Sequence, residues 1–331
     1  MGIQTSTINS GPVAGFKNRI INGNFDFWQR GTSLAAGAGS ERYLADRFAT
    51  NSTGSTCAPS QQSFTLGQTD VPNNPTYFHR TVVASVAGAN NFAVLNQYIE
   101  DVRTLAGQQI TVSFWAKADA SKSIAVEFLQ NFGSGGSPST TVTGIGSTKI
   151  AITTSWQKIT VTATLPSISG KTIGTDANSS KLQLAIWFDA GSNFNSRTGT
   201  LGQQSGTFDI AQVQLEQGPI ATTFEQRDTG TELQMCQRYY YQTTSSYDFY
   251  GRAATAAVTS YIPVVHEFPV IMRIAPNFSS TGATFSSAYA SPIANYTTTR
   301  RHLTVLGLSN TANLDAYYFL STGALTWSAE L

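Results

Sequence analysis

Glycoside hydrolysis needs two carboxylates flanking the scissile bond, and they can come from distant parts of a chain. Glu100, Asp101, Glu127 and Glu216 are available. Yet adjacent Glu100 and Asp101 would point to opposite faces of a strand, and no clustered acid pair stands out. His266 and Glu267 open the stretch HEFPV, but the second histidine of H-E-x-x-H is missing and Pro269 would interrupt the helix that zinc motif requires. With only His79, His266 and His302 in the chain and no G-x-S-x-G elbow, a Ser/His/Asp triad has few bases to draw on. GSGG at 133–136 lacks the Lys-[Ser/Thr] and following helix of a phosphate loop, and reads as a hairpin tip. The expectation is a protein without catalysis.

Binding chemistry is better supplied. In two segments the aliphatic residues share one parity, which leaves Trp115 and Trp187 on the opposite face, beside Lys117 and Asp189 respectively. A pyranose can lay its apolar C–H face on such a ring and offer hydroxyls to neighbouring polar groups. Large aromatics are also usually buried, so packing of this face against another subunit or a covering loop stays open beside sugar stacking.

The elements that must position these residues are strands. Ile110, Val112 and Phe114 alternate with Thr111, Ser113 and Trp115, and Leu182, Leu184, Ile186 and Phe188 alternate with Lys181, Gln183, Ala185 and Trp187. Similar runs at Ile124 to Leu129 and Ile159 to Leu165, separated by Gly, Ser, Pro and Asn clusters, predict an antiparallel β-sandwich. Helical spacing occurs once: TELQ predicts a capping box with Thr231 as the cap and Gln234 reaching back, followed by Leu233, Cys236 and Tyr240 on one face. The connector RDTG before it puts a domain boundary near 228. Residues 1–16 read as an irregular arm, 17–228 as the main β domain, and 229–331 as a short helix with a smaller β-rich domain.

Composition narrows the function classes. The 331 residues are 40% hydrophobic but only 12% charged, with 20 Lys and Arg against 19 Asp and Glu, so there is no electrostatic footprint for nucleic acid or an anionic membrane. No apolar run approaches the length of a membrane span and no signal segment opens the sequence, which predicts synthesis and folding in a cytoplasm without membrane insertion. Cys57 and Cys236 have neither metal nor redox spacing, and each reads as a small buried hydrophobe.

Several long stretches, in order, carry a resemblance: NRIINGNFDFWQRGTS (18–33), YLADRF (43–48), QYIEDVRTLAGQQITVSFWAKA (97–118), QNFGSGGSPS (130–139), FDIAQVQLEQGPIATTFEQR (208–227) and ELQMCQRYYY (232–241). FPVIMRIAP (268–276) and the terminal WSAEL add to it. Together they resemble tail and minor structural proteins of bacteriophages and prophages. That resemblance implies a jelly-roll domain similar to carbohydrate-binding modules whose first strand carries an N-G-[DN]-F-[DE] motif. It further implies a structural calcium held between the first and last strands, for which Asn24, Asp26 and Asp209 are the matching positions; calcium takes six to eight oxygens. Asp209 shares its strand parity with Ala211, Val213 and Leu215, so a carboxylate would point inward and need a partner. The alternative is that Asp26 and Asp209 bond backbone amides at the rim, or that a bulge near Ala211 turns Asp209 outward.

The functions implied are a noncatalytic virion surface protein, a tail fibre or receptor-binding component engaging a host cell-surface glycan, or a capsid or tail decoration protein with contacts only to other virion proteins. A carbohydrate-binding module of a secreted enzyme is the third reading. The resemblance also implies a homotrimer. A physical reason to place its contact in 229–331 is the crowd of Tyr239, Tyr240, Tyr241, Tyr247, Phe249 and Tyr250, since tyrosine suits interfaces.

Overall fold

A computed structural model describes residues 16–243, 247–251, 261–279, 284–286, 290–309, 317–322 and 325–331. The candidate arm 1–16 therefore lies outside the described residues except for Phe16, as do the side chains of Tyr247, Phe249, Tyr250 and His266.

Ten strands build the main domain: β1 (Gly37–Tyr43), β2 (Phe48–Ser63), β3 (Tyr77–Ala84), β4 (Phe92–Glu100), β5 (Gln109–Ala118), β6 (Lys122–Asn131), β7 (Val142–Ile152), β8 (Gln157–Thr164), β9 (Lys181–Ala190) and β10 (Gly206–Gln217). All pair antiparallel in the order β7-β6-β9-β4-β2-β3-β10-β5-β8, with β1 on β2. The two ends of that order, β7 and β8, are joined by a short turn at 153–156 without pairing to each other, and the curled sheet packs its two halves face to face as a sandwich. This is the all-β antiparallel fold that the alternation predicts.

One core fills it. Val112, Phe114 and Ala116 of β5 and Phe208, Ile210, Val213 and Leu215 of β10 meet Val126 and Phe128 of β6 and Leu184, Ile186 and Phe188 of β9. Phe188 and Phe208 stack across the sandwich at 4.9 Å between centroids. Each such buried ring stabilises the fold by about 1.5–3 kcal/mol.

The segment 18–33 plugs one end of this core. Ile20 and Phe25 are fully buried, and Phe25 lies 4.5 Å from Phe48. Asn22 holds the plug in shape: its Oδ1 accepts from Phe27 N, while its Nδ2 donates to Phe27 O and Asp46 O. Gly23 is required by close approach, since a Cβ there would stand 2.1 Å from Val213 O. Polar and aromatic residues alternate in this stretch because the amides satisfy a buried turn while the rings fill the core.

The helix of the second region, α1 (Thr229–Gln237), begins one turn earlier than TELQ suggests. Its cap is Asp228, whose side chain accepts from Thr231 N at 2.9 Å. Cys236 is buried on it, but Tyr240 is already in the strand Tyr240–Gln242. Beyond the helix, the described residues form three small antiparallel sheets of three strands each from segments between 240 and 328. Trp327, fully buried, packs on Tyr241, Phe268 and Phe278 at 5.4–5.5 Å.

The tyrosines expected at a subunit contact are partly spent within the chain. The Arg47 guanidinium lies 3.4 Å over Tyr239 and that of Arg30 3.6 Å over Tyr240. Both arginines also pair with Glu330, and Arg238 grips both oxygens of Glu100 at 2.9 Å. Charge-assisted contacts and rings thus fasten residues 238–240 and 330 to the main domain.

Candidate functional site

Strand register assembles an open face on the outside of β3, β10, β5 and β8. Arg80, Asp209 and Lys117 are successive cross-strand neighbours in one row, and Ala211, Trp115 and Lys158 in the next. Small Ala211 beside Trp115 leaves a dip. There a cleft of about 280 Å³ is lined by Pro72, Asn73, Ser113, Trp115, Lys158, Gln212 and Phe224 among others. Trp115 is half-buried with its ring in this cleft, and Lys158 is exposed. Gln212 Nε2 donates to Pro72 O at 2.8 Å, which fixes one wall.

Next to the cleft, Phe64, Phe78 and Trp156 form an aromatic cluster with centroids 4.8–5.3 Å apart. Lys117 Nζ stands 5.0 Å from the Trp156 ring centroid and 3.8 Å from Asp209 Oδ2. Arg80 grips Asp209 with both arms, Nε to Oδ1 at 2.7 Å and Nη2 to Oδ2 at 2.8 Å. The hydrogen bond to Asp209 pushes the Arg80 pKa up, holding the guanidinium charged. The face thus combines an aromatic floor with a few oriented polar and charged groups, the make-up of a small-ligand site.

Trp187 and Asp189 are not part of this face. Trp187 does point away from the main core, as its parity predicts, but it is 2% exposed, in a second apolar cluster with Val94, Ala125, Leu129 and Leu201. Phe92 and Phe194 close over its ring at 5.6 and 5.2 Å. Asp189 is fully buried, accepting from Ser55 Oγ, Ser85 Oγ and Gln204 N. Strand β9 lies five places from β5 in the sheet, so the two tryptophans cannot share one ligand. The covering loop, one of two readings open for this parity, is the one found for Trp187. Of the four residues expected to bind carbohydrate, Trp115 and Lys117 come together and Trp187 and Asp189 do not.

Asn24 and Asp26 are likewise not brought together with Asp209. A bulge between Ala211 and Gln214, with Gln212 at φ 49°, resets the parity of β10. Asp209 therefore faces outward to Arg80, while Val213 and Leu215 face the core. Gly23 O accepts from Val213 N, which places Asn24 and Asp26 near the other side of that bulge. Asn24 Nδ2 donates to both oxygens of Asp26 at 3.1 Å. Burial chiefly, and Glu232 secondarily, push the Asp26 pKa up. Among the described residues, no three His, Cys, Asp or Glu side chains converge as a metal would need.

The remaining acids are tied into the fold. Glu127, fully buried, accepts from Arg197 Nη2 at 2.6 Å, Trp187 Nε1 at 3.1 Å and Gly144 N at 2.7 Å. Glu216 accepts from Thr222 N and Oγ1. Glu100 and Asp101, expected on opposite faces, line one cleft with Ile173–Ser180, because Asp101 leaves the strand at φ 66°. Both are engaged, Glu100 by Arg238 and Asp101 by Arg103. His79 is buried, stacked at 5.9 Å on Trp28, and bonded through Nε2 to Thr81 Oγ1; burial pushes its pKa down to about 3. Both cysteines are free and buried, and burial pushes the Cys57 thiol up to about 11.

Sequence reasoning missed Phe64, Phe78, Trp156 and Arg80. Trp156 stands in the turn before β8, outside any alternation, and Phe78 and Arg80 reach the face of Trp115 only through β3 pairing with β10. The one signal was parity within YFHRTVV, where Phe78, Arg80 and Val82 alternate with His79, Thr81 and Val83.

Residues 97–181, which include Trp115 and Lys117, match a family model described as a carbohydrate binding domain. No curated protein matches the chain. Among solved structures it is similar to a CBM4 module at 18% identity and TM-score 0.32, covering 60% of this chain and 98% of that one. A putative sugar binding protein from Bacteroides thetaiotaomicron is 18% identical at TM-score 0.36, covering 61% and 100%. The enzymatically active domain of bacteriophage CBA120 tailspike protein 4 is 12% identical at TM-score 0.34, covering 61% of this chain and 22% of that one.

Proposed function

We propose that this chain is a noncatalytic glycan-binding protein whose sugar site is the outer face of β3, β10, β5 and β8, with Trp115 as the stacking platform. The observation that carries the reading is the half-buried Trp115 ring beside Ala211, in a cleft walled by Asn73, Gln212 and Lys158. The match of residues 97–181 to a carbohydrate binding domain supports it. The carboxylates weighed for hydrolysis are all held by partners of their own, which favours binding over catalysis.

The phage-like stretches supply the setting: a virion surface protein, a tail fibre or receptor-binding component, that contacts other virion proteins and a host cell-surface glycan. In this proposal residues 1–16 dock on the particle and residues 229–331 carry a homotrimer contact. With Tyr239 and Tyr240 already spent on Arg47 and Arg30, that contact has to use other residues of the region.

A glycan array with the full chain and Trp115→Ala tests the site. The variant is expected to stay folded and lose retention on every glycan the parent binds. A folded variant that binds as well as the parent overturns the site, and a parent that binds no glycan leaves purely structural contacts as the reading.

A further inference from the structure

Two cross-strand rows around Trp115 hold three cations, Arg80, Lys117 and Lys158, against the single carboxylate of Asp209. In a chain whose net charge is +1 and whose charged content is 12%, that is a local concentration of positive charge on an otherwise neutral surface. The lining of the Trp115 cleft contains Lys158 and no carboxylate. We propose that the glycan taken by this face is anionic, a polysaccharide bearing carboxylates as a polyuronate does. This rests on the reading of the face as a sugar site.

The geometry separates carboxylate from phosphate or sulfate. Phosphate recognition favours a guanidinium fork or converging backbone donors. The one fork on this face, Arg80, is already occupied by both oxygens of Asp209. What remains are two separate ammonium charges. Lys158 has no ion pair among the described residues, and Lys117 Nζ at 3.8 Å from Asp209 Oδ2 is beyond hydrogen-bond distance. They flank the Trp115 ring, Lys158 across the strand pair and Lys117 two residues along on the same side. A chain of sugars with one carboxylate each could stack a ring on Trp115 and place its charges by the two lysines.

Affinity electrophoresis of the full chain in gels holding polygalacturonate, a neutral xylan or a sulfated polysaccharide tests the idea. The parent is expected to be retarded most by polygalacturonate. Lys158→Gln and Lys117→Gln should each weaken that retardation roughly fivefold and weaken any retardation by xylan clearly less, and Trp115→Ala should abolish both. Retardation by xylan that depends on Trp115, with none by polygalacturonate or with no effect of the lysine variants, overturns the anionic preference and leaves the sugar site standing. Equal retardation by the sulfated polymer that survives Trp115→Ala is unspecific charge attraction and overturns the preference as well. Absence of retardation by polygalacturonate overturns it whatever the other gels show.

Discussion

The faces around Trp115 and Trp187 begin from the same strand arithmetic, each with a large ring out of phase with core aliphatics and a polar residue two positions on. They end differently because of what crosses them. Over β9, the segment 191–201 turns back: Gly191 N donates to Asn91 O and Asn193 N to Ala89 O, and a Cβ on Gly191 would stand 2.2 Å from Gly88 O. That anchoring drops Phe194 onto Trp187 and brings Arg197 to Glu127. Over β5, the wall containing Pro72 and Asn73 stops beside Trp115 and leaves the cleft. Parity within a strand tells which side of the sheet a residue takes; a loop from elsewhere decides whether that side meets water.

Perturbation of the sealed face is expected to give the largest losses. Glu127→Ala strands the Arg197 charge and the Trp187 N–H, and should cost about 3–5 kcal/mol in urea unfolding; Trp187→Ala should cost about as much through its cavity. A loss under about 1 kcal/mol for either would mean the loop cover is loose and the two faces are more alike than described.

Beneath the open face, on the inward side of β3, His79 makes stability depend on pH. Its pKa is lowered from 6.5 to about 3 by burial, so the folded state binds fewer protons between those values. The stability it contributes is full above pH 6.5 and is lost as pH falls toward 3. Asp46, pushed up to about 6 chiefly by burial, works the other way, gaining stability as acid protonates it. A His79→Phe variant should therefore show a flatter acid decline in urea midpoints between pH 7 and 4; an unchanged slope would show that His79 is not what titrates.

Trp115→Ala is expected to change unfolding free energy by less than about 1 kcal/mol, since its ring is not sealed, and that small value beside the large one at Trp187 is the sharpest form of the comparison. Smallest of all, a chelator should leave the melting curve unchanged, because Asn24, Asp26 and Asp209 are apart; a drop restored by calcium would reveal a site made from other oxygens.

The framework was legible because periodicity survives in Ile110–Trp115 and Lys181–Phe188, where each buried residue reports its own strand. It failed where one residue shifts the count. The bulge at 211–213 inverts the parity of β10; in FDIAQVQLEQ its one trace is Asp209 in phase with apolar residues, which left a bulge near Ala211 open as an alternative without deciding for it, since Gln212 and Gln214 are themselves buried. The cap moved from Thr231 to Asp228 because both residue types cap well, and the choice depends on where the chain arrives from the main domain. The aromatic cluster was invisible for a different reason: Phe64, Phe78 and Trp156 come from three separate segments, and only sheet order brings them together.

The pairing of Arg47 with Glu330 sets a clock. The guanidinium is made 283 residues before the carboxylate that neutralises it, and a ribosome adding 5–20 residues per second takes on the order of tens of seconds to cover that distance. For that interval the nascent main domain holds a cation destined for full burial without its carboxylate, and for the earlier part of it also lacks Tyr239 and Tyr240. The sandwich can collapse early on its own core, but its final closure waits for the chain's far end.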